Sequence, residues 1–438
     1  MPERRQGAGQ HLRKSIKLRH AVALYISSVL GSGILILPGL AAKIAGPSSL
    51  IAWVFLSFAS YPFAYTFATL SSRIPESGGV YSFAKQGYGF PAATVSAWLF
   101  ALWFIAGAPA ATLIAASYVA YVVPMTRLGL YFVAGGIMTL AFVVNYRGIR
   151  FSNTVQVIVV AMIVLLLVAA VAVTSGSVRM QNFNPMFPNG ILPVGTAAAL
   201  IFWSYLGYEN VSNVAEEFAN PQRDFRRSVF ISVFLIGVLY ISVAIVTIGT
   251  RAYEAGGSVA PFAEIFSRLL GTYGGAGTAA LALFIIFATS NAYTAGMTRV
   301  IYAAAKDSAF PRGLAHVNPT TGVPDRSLIM LTASALIMLC VYYFTGSDLE
   351  TALLIPSGAA IIVYIVGSLA GIRLLREKSW RRSLPWAALF ISLAALPFVG
   401  VLSLPAVLVG GCGLAYGARL NRRLGVKENL AKETGVGE

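Results

Sequence analysis

Two short interruptions inside long apolar stretches hold the residues with the greatest chemical capacity. The first is Gly31-Ser32-Gly33. Glycines tolerate backbone conformations that other residues resist, and a serine hydroxyl can serve freed backbone groups. The apolar run resumes at Ile34 and reaches Pro38. A helix starting there has unpaired N–H groups and the positive end of its dipole at the break, a site suited to a carboxylate. Two glycines also allow helices to pack closely, so this pair alone leaves both readings open.

The second interruption is Ser204-Tyr205-Leu206-Gly207-Tyr208-Glu209. Glu209 is the one acidic residue near the middle of an otherwise apolar stretch. An ionisable group at that depth costs roughly 2.5 kcal/mol or more, which makes function the default reading. Capping a second half-helix by accepting its orphan N–H bonds is the structural alternative. Trp203, Tyr205 and Tyr208 flank the break and can either close over a solute or pack in the core.

The elements that position these residues follow from composition. The chain has 438 residues, 57% hydrophobic and 11% charged, too few polar groups to cover a soluble surface. Windows without Asp, Glu, Lys or Arg, such as 44–72, 86–126 and 269–298, exceed the roughly 20 residues a spanning helix needs. Twelve spans are expected, near 20–44, 48–72, 91–123, 128–145, 152–174, 193–217, 227–249, 272–304, 327–345, 351–372, 384–401 and 404–419. Residues 86–126 are read as one long tilted helix, and 384–420 as a hairpin turning near Leu404-Pro405. The basic N-terminus resembles the start of a signal peptide, but the apolar run after it lacks a small-residue cleavage site and is read as a retained first span.

A net charge of +16 raises nucleic acid as a partner. The cations, however, sit in short segments between apolar spans and form no aromatic-interleaved basic face, so lipid and not nucleic acid is the expected partner. Of the 32 Lys and Arg residues, only Lys43, Arg127, Arg179, Arg251 and Arg268 fall in alternate loops of one side. That bias places both termini in the cytoplasm. Cys340 and Cys412 lie within apolar spans and show neither disulfide nor metal-ligand spacing.

The breaks fall in spans 1 and 6, with an odd number of spans between equivalent points. A 1–5 unit and a 6–10 unit are therefore inverted copies, with spans 11 and 12 appended. Broken helices in matching places of inverted halves point to a transporter's site. An amino acid zwitterion fits such a site: half-helices ending near Gly31 and Ser204 offer carbonyls to its ammonium, and those starting near Ile34 and Glu209 offer N–H groups to its carboxylate.

At these residues the chain resembles the amino acid, polyamine and organocation transporter superfamily from about Lys17 to about Leu420. Gly31-Ser32-Gly33-Ile34 is similar to the span 1 signature, and Phe202 to Glu209 to the span 6 signature. Pro75 to Gly79, Asn220 to Asp224 and Arg299 to Asp307 add to the likeness. Glu217 to Phe225 resembles exporters of methionine and branched-chain amino acids. Trp203 and Glu209 match the gating tryptophan and proton-sensing glutamate of the arginine/agmatine antiporter. The resemblance implies an all-α membrane protein with a LeuT-like 5+5 inverted repeat, discontinuous helices 1 and 6, two further helices, and spans 3, 8 and 10 completing the pocket. The units are 1–19, 20–174, 175–372, 373–420 and 421–438.

The expected solute site then comprises Ser28, Gly31, Ser32, Gly33 and Ile34 from span 1. From span 6 come Phe202, Trp203, Ser204, Tyr205, Gly207 and Tyr208, and from span 8 Tyr293. Trp203 and Tyr208 are the candidate gates and Glu209 the candidate proton sensor. Span 1 carbonyls with Ser290 or Thr294 form a candidate sodium site. No cofactor is expected. Relatives that place a lysine in span 5 differ from this chain, whose Met162-Ile163 region has no ionisable side chain. The loop Pro124 to Arg127 lacks the cysteine by which heteromeric relatives attach a heavy subunit. The expected activity is secondary transport or exchange of a small, neutral L-amino acid across the bacterial cell membrane, with a cationic substrate as the alternative. A membrane enzyme would need a catalytic constellation, but His11, His20 and His316 all fall in inside segments and no nucleotide-binding loop is present. A channel would need a carbonyl filter or a ring of charges, and neither is found.

Overall fold

The structure is a computed structural model describing residues 18–74, 78–148, 153–209, 221–254, 259–375 and 380–434. Among these residues every regular element is helical. In chain order they are α1 (Leu18–Val29), α2 (Gly33–Ala45), α3 (Ser49–Arg73), α4 (Val80–Tyr88), α5 (Phe90–Val122), α6 (Arg127–Tyr146) and α7 (Asn153–Thr174). There follow α8 (Leu192–Ile201), α9 (Pro221–Gly249), α10 (Pro261–Lys306), α11 (Asp325–Thr345), α12 (Leu349–Leu374), α13 (Ser383–Ala395) and α14 (Leu404–Thr434). The basic segment 1–17, Pro75 to Ser77, Asn220 and the expected second half of span 6 lie outside the described residues.

Among the described residues, nine helices are long and apolar enough to cross a membrane, so this is a multi-pass membrane protein. Three of the nine contain an internal break, one of them the kink of α10 at Gly271, with φ 62°. The run Gly33–Arg73 is interrupted at Gly46, with φ 64°, and Trp380–Arg423 at Gly400, with φ 62°. All three dihedrals fall in the left-handed region that favours glycine. The last turn therefore centres on Gly400, a few residues before the Leu404-Pro405 expected from sequence. Within 86–126 one long helix does form, α5 over 90–122, but α4, which holds residues 86–88, and the segment of α10 before its kink at Gly271 are additional to the expected spans.

Helix α5 organises the molecule. It packs against α4, α6, α10, α11, α12 and α14, and 83% of its most apolar window is buried inside the protein. For α6 the figure is 28%. A helix apolar all round belongs in the centre, whereas α6 spends most of its apolar surface on lipid. Side-chain bonds sort the connecting segments into two faces. On one, Arg127 donates to the Tyr343 carbonyl (2.9 Å), Asn189 to that of Ile44 (2.8 Å) and Arg268 to that of Thr250 (2.9 Å). On the other, Lys85 pairs with Asp307 (2.6 Å), Trp98 donates to the Ala309 carbonyl (2.9 Å) and Tyr416 to that of Ser308 (3.3 Å). The first group joins sparse-cation segments and the second cation-rich ones.

Candidate functional site

The first break is built by α1 ending early. Leu30 N–H still reaches the Ile26 carbonyl (2.8 Å), but Gly31 N–H turns back to Val29 (2.8 Å), and helix resumes at Gly33. Ser32 makes no side-chain capping bond, contrary to the service expected of its hydroxyl. Leu35 N–H reaches the Ser32 carbonyl (3.2 Å), and the N–H groups of Gly33 and Ile34 are left without an intrahelical acceptor or a side-chain cap. Neither Gly31 nor Gly33 has a positive φ. Space, not backbone conformation, demands Gly33: a Cβ there would lie 2.7 Å from Ser204 Oγ and 2.8 Å from Trp203 Cδ1.

The second break begins where α8 tightens into a 3₁₀ turn over Phe202–Tyr205 and leaves helical geometry at Leu206. Gly207 has φ 123°, a conformation open to glycine and few others. Leu206 before it is extended (ψ 151°), so the Gly207 N–H points away from the preceding turn and donates to Glu209 Oε2 (3.0 Å). The same oxygen accepts from Tyr364 Oη of α12 (2.6 Å). Oε1 of this buried carboxylate has no partner among the described residues. Tyr364 is fixed in turn by edge-to-face contacts with Phe63, Phe67 and Phe202.

Between the breaks lies a cavity of about 70 Å³. That is room for about five water molecules by this measure, enough for one small solute. Gly31, Ser32 and Gly33 form one wall, Trp203 and Leu206 a second, Trp103, Phe104, Gly107, Ala108 and Ala111 of α5 a third, and Thr289, Ser290, Tyr293 and Met297 of α10 a fourth. No Asp, Glu, Lys, Arg or His is among the described lining residues. Trp203 bridges two walls. A Cβ on Gly107 would lie 2.7 Å from the far edge of its indole, as one on Gly33 would meet the near edge, so two glycines make the slot that seats the ring.

Of the residues singled out from sequence, Gly31, Ser32, Gly33, Trp203, Ser290 and Tyr293 line this cavity. Ile34, Phe202, Ser204 and Tyr205 are buried behind it. Tyr208 packs against Tyr25, ring centroids 6.3 Å apart, and does not lie on the cavity wall. Ser290 Oγ is buried without a partner, whereas Thr294 spends its hydroxyl on the Ser290 carbonyl (2.8 Å) and stays off the wall. Ser28 lies on α1, its side chain outside the described residues. The α5 wall, Tyr364, and Tyr240 behind the breaks were not expected individually. The resemblance implied spans 3, 8 and 10 only as whole elements.

All-helical among the described residues, with a solute-sized cavity between the break after α1 and the end of α8, the protein has the build of a membrane carrier. Residues 16–416 match the amino acid permease family, and the chain belongs to it. It is 34% identical to an uncharacterised amino acid permease, YecA, of Bacillus subtilis over 91% of this chain and 94% of that protein. It is 28% identical to the L-methionine/branched-chain amino acid exporter YjeH of Escherichia coli, covering 84% of this chain and 88% of that one. The branched-chain amino acid permease BcaP of Bacillus subtilis is 27% identical, with 72% and 71% covered.

Proposed function

We propose that the protein is a secondary carrier or exchanger of small neutral L-amino acids that exposes its cavity alternately to the two membrane faces. The observation carrying this reading is the cavity itself. The uncapped start of α2 supplies N–H groups for a carboxylate, helix-end carbonyls suit an ammonium, and the remaining walls are uncharged and mostly apolar, with Thr289, Ser290 and Tyr293 the polar residues on the α10 side. A cationic or acidic side chain would be desolvated there without a counter-charge, a large cost. The names of the exporter and the branched-chain permease agree with an apolar substrate. Competition against labelled leucine uptake tests the choice: methionine, valine and isoleucine should inhibit, and lysine, arginine, aspartate and glutamate should not. Inhibition by arginine or lysine at concentrations comparable to leucine would replace this reading with the cationic one.

The twelve-span inverted repeat is part of the same proposal, and helix pairing supports it. Matching members of the two units pack on each other: α3 on α9, α5 on α10 and α6 on α11. Elements near a two-fold axis meet their own mates in this way. With both termini cytoplasmic, cysteine at Ser177 is outside and at Thr320 inside; both positions are exposed. In a background with Cys340 and Cys412 replaced, an impermeant thiol reagent applied to intact cells should label Ser177→Cys alone. Labelling of Thr320→Cys alone would invert the orientation.

A further inference from the structure

Tyr240 of α9 lies behind both breaks, on no cavity wall, and its hydroxyl reaches each of them. It is 3.2 Å from the Val29 carbonyl, where α1 ends, and 3.1 Å from the Ser204 carbonyl, in the turn that ends the first half of the second broken helix. The Ser204 carbonyl needs such a donor, and the Val29 carbonyl, which already accepts from Gly31 N–H (2.8 Å), takes the phenol as a second partner. The last carbonyls of a helix have no onward N–H partner. In the second break, the N–H that a continuing 3₁₀ turn would aim at Ser204 is that of Gly207, and this group is committed to Glu209. The phenol is itself held rigidly. Tyr240 is fully buried, edge-on to Trp53 (5.5 Å between centroids) and to Tyr205 (5.1 Å). The Tyr205 hydroxyl bonds Ser57 (2.7 Å) and closes the nest.

We infer that Tyr240 is a positioning residue for the carried amino acid: one hydroxyl clasps the two helix ends and keeps the Gly31 to Gly33 wall in register with the Trp203 and Leu206 wall. This rests on the solute site proposed above. A phenol has one proton, so it is shared between two acceptors and neither bond is saturated. The clasp therefore sets a separation between the breaks without closing it. Without the hydroxyl, the two walls are free to drift and a zwitterion spanning them meets donors and acceptors out of register, a loss that falls on binding.

Tyr240→Phe removes one oxygen and leaves the ring packing intact. Purified in detergent and free of solute, it should still fold and melt within a few degrees of the parent, the shift expected when buried acceptors lose a donor, while its affinity for leucine, measured by ligand-induced thermal stabilisation, falls about tenfold. In proteoliposomes the same variant should raise KM by a similar factor and leave the maximal rate nearly unchanged. Ser57→Ala, which disturbs the same aromatic nest without touching either break carbonyl, should bind leucine within about twofold of the parent. Equal leucine affinity in Tyr240→Phe and the parent overturns the clasp, as does an equal loss in Ser57→Ala. A lowered solute-free melting temperature with KM unchanged makes Tyr240 a packing residue only and also overturns it. If the parent itself is stabilised by none of the twenty amino acids, the solute site fails instead.

Discussion

Gly33→Val should abolish amino acid binding and transport while the protein still inserts and folds. Even a single Cβ at this position falls 2.7–2.8 Å from Ser204 Oγ and the Trp203 indole, and valine adds two methyl groups beyond it. Overpacking of this kind typically costs about 1–3 kcal/mol, and here the strain is placed on the wall against which the solute carboxylate would rest. Displacing Trp203 fills the cavity or pushes α2 outward, and either outcome lowers affinity by roughly a hundredfold or more. Gly107→Leu attacks the opposite edge of the same indole and should fail in the same way. Size-exclusion profiles and surface expression separate these losses from misfolding. Leucine affinity in Gly33→Val within about threefold of the parent would remove the first break from the site.

Glu209→Gln should flatten the pH dependence of transport yet preserve binding. Glutamine still offers an acceptor to the Tyr364 hydroxyl and the Gly207 N–H, so the local hydrogen bonds can survive. It cannot titrate, and it replaces the buried carboxylate whose Oε1 finds no partner among the described residues. A carboxylate so placed changes the charge balance of the second break whenever it gains or loses a proton, whereas the amide holds that balance fixed. The parent rate should therefore vary with pH and the variant rate should stay within about twofold across the same range. Measurements in sodium and in choline media distinguish this from coupling through Ser290, the one member of the candidate sodium pair that faces the cavity. An unaltered pH profile, or strict sodium dependence, would leave Glu209 as a structural cap.

The two breaks were legible from sequence because polar or conformationally permissive residues in lipid-spanning stretches are costly, and cost marks them. Glu209 and Gly31-Ser32-Gly33 stand out on that ground alone. Gly107 does not. In the 33-residue apolar helix α5 it looks like any glycine that eases helix packing, and its role appears only when Trp203 is set against it. Tyr240 and Tyr364 are hidden for the same reason: aromatic residues are common in membrane helices, and their partners are distant in sequence. Tyr208 shows the converse case. Adjacent to the break and aromatic, it has the composition of a gate, yet the turn at Gly207 leaves its ring against Tyr25. Periodicity does not reveal which way a side chain points once the helix is broken. The expected sidedness of the loops rests on a charge bias summed over many residues, so that no single placement decides it.

Counterflow in proteoliposomes tests most directly whether this cavity carries amino acids. Vesicles containing the purified protein are preloaded with unlabelled leucine, diluted into a trace of labelled leucine, and compared with empty vesicles and with vesicles holding Gly33→Val. A carrier returns its loaded site faster than its empty one or exchanges obligatorily, so preloading should drive a transient accumulation of label that neither control shows. Label entry indifferent to preloading with any of the twenty amino acids would contradict carriage of amino acids through the cavity between the two breaks.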